Sequence, residues 1–251
     1  MGGALLEGWI AGGTAPADIA ILDPKPGPVA RDVIERGATS DPDTLAAVET
    51  LLMAVKPQVF DEIWDDLAEG VRPGTLIISI MAGVSCAALR KAFPGCPVIR
   101  AMPNTPASVG AGITGLYAGE GASESDVAEA ERLLGVTGEV VRVYDERDID
   151  RVTALSGSGP AYIFHLVEAM SEAGRDIGLD PDVSDRLARA TVIGAARLLQ
   201  DDGDASALRR AVTSPNGTTQ AALEVLMLQL PKLMRRTVRA AFDRAVELGG
   251  E

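Results

Sequence analysis

Through Tyr144, short β-branched runs alternate with amphipathic stretches, and beyond it the strand signal stops. Strands that hand over to helices cannot be joined as tight hairpins, so the pattern gives a mostly parallel sheet with helices crossing its two faces. The strands read as Ile19–Leu22, Thr50–Val55, Thr75–Ile80, Val98–Ala101, Ile113–Tyr117 and Glu139–Val143. The helices read as Gly2–Ala11, Pro28–Arg36, Pro57–Glu69, Ser85–Phe93 and Glu124–Leu134. Pro57 suits a first helical position and Ser85 an N-cap. After the boundary, the Ala-, Leu- and Val-rich segments Pro160–Ile177, Asp182–Leu199, Thr218–Leu226 and Pro231–Leu248 read as helices alone. The expected fold class is α/β: a doubly wound parallel sheet over residues 1–145, then an all-helical domain over residues 146–251. A chain of 251 residues has room for both. Pro160–Ile177 and Asp182–Leu199 are apolar on more than one face, which predicts that a second copy of the chain covers them.

Acidic side chains outnumber basic ones, 36 against 23, for a formal net charge of -13. Such a surface repels polyanions, so no nucleic-acid partner is expected. An anionic ligand must then be held by backbone amides or by a few placed cations. No uninterrupted apolar stretch approaches the ~18 residues of a bilayer span, and the N-terminus lacks a basic-then-apolar signal pattern. The reading is a cytoplasmic protein with no membrane partner. Cys86, Cys96 and the single histidine, His165, are too few for a structural zinc site, so no metal is expected and the cysteines read as free thiols.

The dinucleotide fingerprint is a strand, Gly-x-Gly-x-x-Gly, a helix, and an acidic residue about twenty positions on that meets the adenosine ribose. Met1-Gly2-Gly3-Ala4-Leu5-Leu6 resembles the end of such a loop, with Gly2 as its third glycine and Asp23 in the ribose position. The first strand and first two glycines of this Rossmann-type pattern are absent. The simplest reading is a start codon assigned about ten to fifteen residues late, with a truncated product as the alternative. A literal match at Gly110-Ala111-Gly112-Ile113-Thr114-Gly115 reads as a decoy, because prolines precede it and no helix opens from it. Parallel sheets bind ligands beyond their carboxyl edges, and three such edges carry Ala54-Val55-Lys56-Pro57, Met81-Ala82-Gly83 and Met102-Pro103-Asn104-Thr105-Pro106. There Lys56 is positioned to face phosphate and Asn104 to hydrogen-bond the nicotinamide or the substrate; ordinary turn chemistry is the other reading of both.

Two clusters precede helices. Leu155-Ser156-Gly157-Ser158-Gly159-Pro160 invites a serine-nucleophile reading, but Ser156 stands where the elbow needs glycine. His165 lies two helical turns past Ser158, too far for a base. Capping and tight packing are expected instead. The second cluster, Val212-Thr213-Ser214-Pro215-Asn216-Gly217-Thr218-Thr219-Gln220, places free amides and a positive dipole end where a small carboxylate would fit. A hydroxyl cap without a ligand is the alternative.

Taken in order, Gly2 to Leu6, Ala54 to Pro57, Arg100 to Pro106, Leu155 to Tyr162 and Val212 to Thr219 closely resemble pyrroline-5-carboxylate reductase across nearly the whole chain. The resemblance implies reduction of 1-pyrroline-5-carboxylate to L-proline, the last step of proline biosynthesis, with NADPH as donor and NADH possible. It implies a homodimer that assembles further. Gly2, Asp23, Ala54, Val55, Lys56, Pro57, Ala82, Gly83 and Asn104 become cofactor positions. Ser214, Gly217, Thr218 and Thr219 become substrate positions, with Thr218 and Thr219 holding the carboxylate through their amides. The Thr219 hydroxyl is the catalytic candidate that approaches the ring nitrogen. Asn216 replaces a usual glycine but tolerates a left-handed backbone, and Arg210-Ala211 replaces a frequent acidic-Asn pair. Asp23 favours NADH by repelling a 2′-phosphate, while Lys25 offsets it. Two other readings stay open: a related cyclic-imine or keto-acid reductase, and an inactive oligomerisation partner.

Overall fold

The computed structural model describes residues 1–201 and 203–249. The chain divides into two compact units, Met1–Ser158 with Ala241–Glu251, and Gly159–Ala240.

In the first unit, β1 (Thr50–Met53), β2 (Leu76–Ser79) and β3 (Val98–Met102) lie parallel, followed in the same sheet by β4 (Gly112–Ala118) and β5 (Gly138–Val143). The helices are α1 (Gly2–Ala11), α2 (Pro28–Glu35), α3 (Pro57–Gly70), α4 (Cys86–Ala92) and α5 (Glu124–Leu134). Ile77 and Val98 pack on one face with Phe60 of α3 and Leu89 of α4. Their neighbours Ile78 and Ile99 pack on the other with Leu5 of α1 and Leu134 of α5. Both faces are therefore covered, which is why β2 and β3 are apolar runs and not alternating patterns.

Two expectations need correction. β4 is antiparallel to β3, while β5 is parallel to β4. The link between β3 and β4 is a single 3-10 turn, Thr105–Val109, closed by Gly110 at φ 70, and it is too short for the crossover that parallel pairing requires. Ile19–Leu22 forms no strand; it makes one parallel bridge, Ala20 to Thr39, and buries Ile19 and Ile21 against Leu6 and Val33. A segment with one bridging neighbour does not build a ladder. The glycines of the decoy motif serve packing. A Cβ on Gly115 would lie 2.7 Å from the Val152 methyls, and one on Gly112 would lie 2.8 Å from the Thr137 carbonyl oxygen.

Arg100 stands in the middle of β3 and is 5% exposed. Its guanidinium donates to Glu146 Oε1 at 2.8 Å, and the same oxygen accepts the Cys86 N–H at 2.7 Å. One carboxylate thus ties β3, the first turn of α4 and the segment leaving β5. Beyond it, α6 (Asp148–Val152) passes through a π turn, Thr153–Gly157, and α7 (Gly159–Asp176) follows. The Ser-Gly-Ser-Gly stretch is therefore mostly helical, not a loop before a helix.

The second unit holds α7, α8 (Pro181–Asp201), α9 (Ala205–Ala211) and most of α10 (Thr218–Leu248). Between α7 and α8, the Ser184 hydroxyl donates to the Ser171 carbonyl at 2.6 Å, and Asp185 accepts from Ser171 and Arg175. The sequence pattern missed α9, whose Asp204 side chain caps it by accepting from Ser206 and Ala207 amides. It also broke α10 before Pro231, yet that helix is continuous. Pro231 removes one bond, to the Met227 carbonyl, and the rest of the helix carries on through it. Phe164, Leu187, Leu198, Val225 and Leu228 are large apolar side chains left exposed on these helices.

Removing Glu146 strands a buried guanidinium. Glu146→Ala should cost about 3 kcal/mol in urea unfolding, the low end for a broken buried pair because Glu146 is 31% exposed. Arg100→Met with Glu146→Leu should cost less than Glu146→Ala alone. Burial, and then the Glu146 charge, push the Cys86 thiol from about 9 up to about 12. Between those values the unfolded thiol has lost its proton and the folded one keeps it, so stability falls as pH rises from 9 to 12. Cys86→Ala should flatten that loss, measured as the pH dependence of the urea midpoint in both proteins.

Candidate active site

Three parallel strands end on one side of the sheet, and the residues that follow them share that edge. Ala54 follows β1, Ala82 and Gly83 follow β2, and Asn104 follows β3. Gly2 opens α1 beside Ala54; a Cβ there would sit 3.5 Å from that of Ala54. Among the described residues the amides of Gly2, Gly3 and Ala4 have no backbone partner, the first helical bond being Leu5 N–H to the Met1 carbonyl at 3.2 Å. Small side chains and unspent donors at a helix start fit a pyrophosphate. Lys56 is exposed and leads into α3, with Pro57 in the first helical position as expected. Val55 lies between Ala54 and Lys56, half-buried against the core under α3 and α4.

Asp23 is exposed beyond Ile21, and its Oδ1 accepts the Lys25 N–H at 2.8 Å. That bond holds the carboxylate over its own turn and brings Lys25 beside it. Gly83 has φ 76, and a Cβ on it would lie 2.7 Å from the Leu248 carbonyl oxygen at the end of α10. Backbone conformation and close approach both demand glycine there. No local signal announces the Leu248 contact, because its two sides are far apart in sequence.

Asn104 is 8% exposed. Its Oδ1 accepts the Ile113 N–H at 3.0 Å and its Nδ2 donates to the Ser156 carbonyl at 3.2 Å. The side chain read from sequence as a ligand to nicotinamide or substrate is thus engaged inside the first unit.

In the second unit, Ser214 and Gly217 form the turn into α10, with the Gly217 N–H bonded to the Ser214 carbonyl at 3.1 Å. A side chain on Gly217 would run into the Ser214 hydroxyl. Asn216 takes φ 58, the left-handed conformation expected of a glycine substitute, and its N–H donates to Gln220 Oε1 at 2.8 Å. Thr218 and Thr219 are the first two residues of α10, and among the described residues the amides of Thr218, Thr219 and Gln220 have no backbone partner. Alongside lies an open cleft of about 700 Å³ with Arg209, Arg210, Thr213, Gln220 and Glu224 as its polar lining and Leu223, Met227 and Leu228 as its apolar lining. Arg210 pairs with Asp204 at 3.9 Å and donates to the Ser206 hydroxyl at 2.6 Å. The sequence reading treated Arg210 only as a lost contact; the structure sets both arginines beside the helix start.

No group of three or more His, Cys, Asp or Glu side chains among the described residues is arranged to hold a metal, and no helix there is long and apolar enough to cross a membrane. Residues 146–248 match the family described as pyrroline-5-carboxylate reductase dimerisation, and residues 1–83 match the NADP oxidoreductase family, coenzyme F420-dependent. The chain is 39% identical to a pyrroline-5-carboxylate reductase of Pseudomonas aeruginosa, covering 99% of this chain and 93% of that one. It is 40% identical to the pyrroline-5-carboxylate reductase of Synechocystis, over 99% and 95% of the two chains. Among solved structures it resembles a pyrroline-5-carboxylate reductase of Coxiella burnetii, at TM-score 0.90 and 35% identity over 98% and 93% of the chains. The fold also matches a Plasmodium falciparum pyrroline carboxylate reductase with NADP bound, at TM-score 0.82 and 24% identity over 99% and 94%.

Proposed function

The chain belongs to the pyrroline-5-carboxylate reductase family, and from that membership we propose how its own residues carry the reaction. It is an NAD(P)H-dependent oxidoreductase that reduces 1-pyrroline-5-carboxylate to L-proline, the last step of proline biosynthesis. Residues 1–145 form the cofactor domain and residues 146–251 the substrate and dimerisation domain. The family match over residues 146–248 supports that division.

The observation that carries the substrate assignment is the start of α10. Three unpartnered amides at the positive end of a long helix, with Arg209 and Arg210 alongside, offer a carboxylate what an otherwise acidic protein lacks. Thr218 and Thr219 hold the substrate carboxylate through these amides, and Ser214 and Gly217 shape the turn that presents them. The Thr219 hydroxyl oxygen accepts from the ring N–H and so helps keep the imine protonated. A protonated cyclic imine takes hydride at carbon while its π pair moves to nitrogen, so the residues need only bind, orient and retain one proton. The nicotinamide cofactor supplies the hydride.

Gly2, Ala54, Val55, Lys56, Pro57, Ala82 and Gly83 form the edge that receives the cofactor, with the amides of α1 facing its pyrophosphate and Lys56 a phosphate, while the Asn104 side chain is turned to Ile113 and Ser156. Asp23 meets the adenosine ribose. Lys25, held beside Asp23 by its own amide, offsets that charge enough to admit the 2′-phosphate of NADPH, with NADH also accepted. Two copies pair through the exposed apolar faces of α7, α8 and α10, and the dimers assemble further. The cytoplasm, which supplies reduced nicotinamide, is the compartment this work requires.

Turnover is read as loss of reduced-nicotinamide absorbance with pyrroline-5-carboxylate; a folded protein inert with both NADPH and NADH overturns the reading. Thr219→Val keeps the amide and loses the hydroxyl, so kcat should fall about 10- to 100-fold with substrate KM nearly unchanged. Thr219→Ser should restore most of it. Lys25→Glu should raise the NADPH KM about tenfold and leave the NADH KM within twofold, since only one cofactor carries the extra phosphate.

A further inference from the structure

A helical carbonyl normally accepts from the N–H four residues on, and for Ser156 that residue is Pro160, which has none. The deficit falls at the π turn Thr153–Gly157, where Ser158 N–H reaches back to the Thr153 carbonyl at 2.8 Å and the Ser156 hydroxyl is spent on the Val152 carbonyl at 3.1 Å. Asn104 Nδ2 meets the Ser156 carbonyl at 3.2 Å. Its Oδ1 is anchored by the Ile113 N–H at 3.0 Å, at the beginning of β4, so the amide cannot turn away without stranding a second backbone group. A carbonyl withdrawn from water and left without a donor is costly; Ser156 is half-buried and the Asn104 side chain that meets its carbonyl is buried.

We propose that Asn104 is a positioning residue for the reductase reaction: its amide replaces the N–H that Pro160 lacks and so holds the turn from which α7 departs against the carboxyl edge of the sheet. The close packing nearby agrees. Gly157 has Met102 of β3 as its neighbour, with 3.8 Å from a built Cβ to the Met102 Cγ, and Gly115 leaves room for Val152. This rests on the function proposed above for its kinetic readout, but not for its structural one.

The test compares the full-length protein with Asn104→Ala, Pro160→Ala and the double variant. Hydrogen exchange is followed at residues 153–158, with kcat and KM measured for both substrates. Asn104→Ala should speed exchange at Ser158 about tenfold or more and lower kcat about tenfold, with the NADPH KM within threefold. Pro160→Ala restores a backbone donor, so the double variant should recover both readouts to within about threefold of the parent, a non-additive pairing. Unchanged exchange with a tenfold higher NADPH KM would make Asn104 a cofactor ligand and overturn the proposal; so would strictly additive losses. Should Asn104→Ala not fold, Asn104→Asp decides. Its carboxylate repels the Ser156 carbonyl when ionised and donates to it when protonated, so exchange at Ser158 should slow relative to the parent as pH falls through the carboxyl range, from about 7 to 4. A flat ratio rejects the idea. A parent that exchanges as described but fails to turn over pyrroline-5-carboxylate defeats the functional assignment and not this one.

Discussion

A guanidinium placed in the middle of a fully covered strand cannot be left without its counter-charge, and that requirement organises the first unit. Arg100 reaches Glu146, Glu146 also takes the first amide of α4, and the segment after β5 is thereby fixed to the sheet centre. From that point the chain runs through α6 and the π turn, pressed onto β4 where Gly115 leaves space for Val152. Among the described residues the Arg100 Nε has no partner, so the pair is tolerated by its geometry but not fully satisfied. Charge, packing and a missing proline donor all act on the stretch from Glu146 to Pro160.

Much of this was legible because the relevant physics is local. Pro57 at the head of α3, the Ser85 cap of α4 and the apolar runs of β2 and β3 announce themselves within a few residues. The left-handed backbone at Asn216 was likewise readable, since few residues other than glycine accept it. What failed depended on partners elsewhere. The direction of β4 is decided by the length of its connection to β3, and Ile19–Leu22 has the residues of a strand without the ladder. Pro231 reads locally as a stop, yet it costs the helix only the one bond its missing N–H would have made, and the 31-residue helix runs through it. Asn104 was recognised as special by its place at a strand end, but the residue it serves lies 52 positions away.

Net charge sets the second theme. A chain with thirteen excess negative charges must bind anions through short-range devices, and both proposed anion sites are helix beginnings with unspent amides. Side-chain cations are few and local: Lys25 beside Asp23, and Arg209 with Arg210 beside α10. Selectivity between anions then follows from which small charge stands next to the amides, a feature open to change by single substitutions.

One helix, α10, begins in one compact unit and ends in the other, where Leu248 closes against Gly83. Synthesis on the ribosome is vectorial, and β1 to β5 have all been made by Ser158 while the turn that covers Gly83 emerges about 90 residues later. At roughly 5–20 residues per second that is a delay of roughly 5–18 seconds. During it the nascent first unit must stand with the Gly83 loop uncovered, so the final helical turn completes a unit whose core was assembled long before.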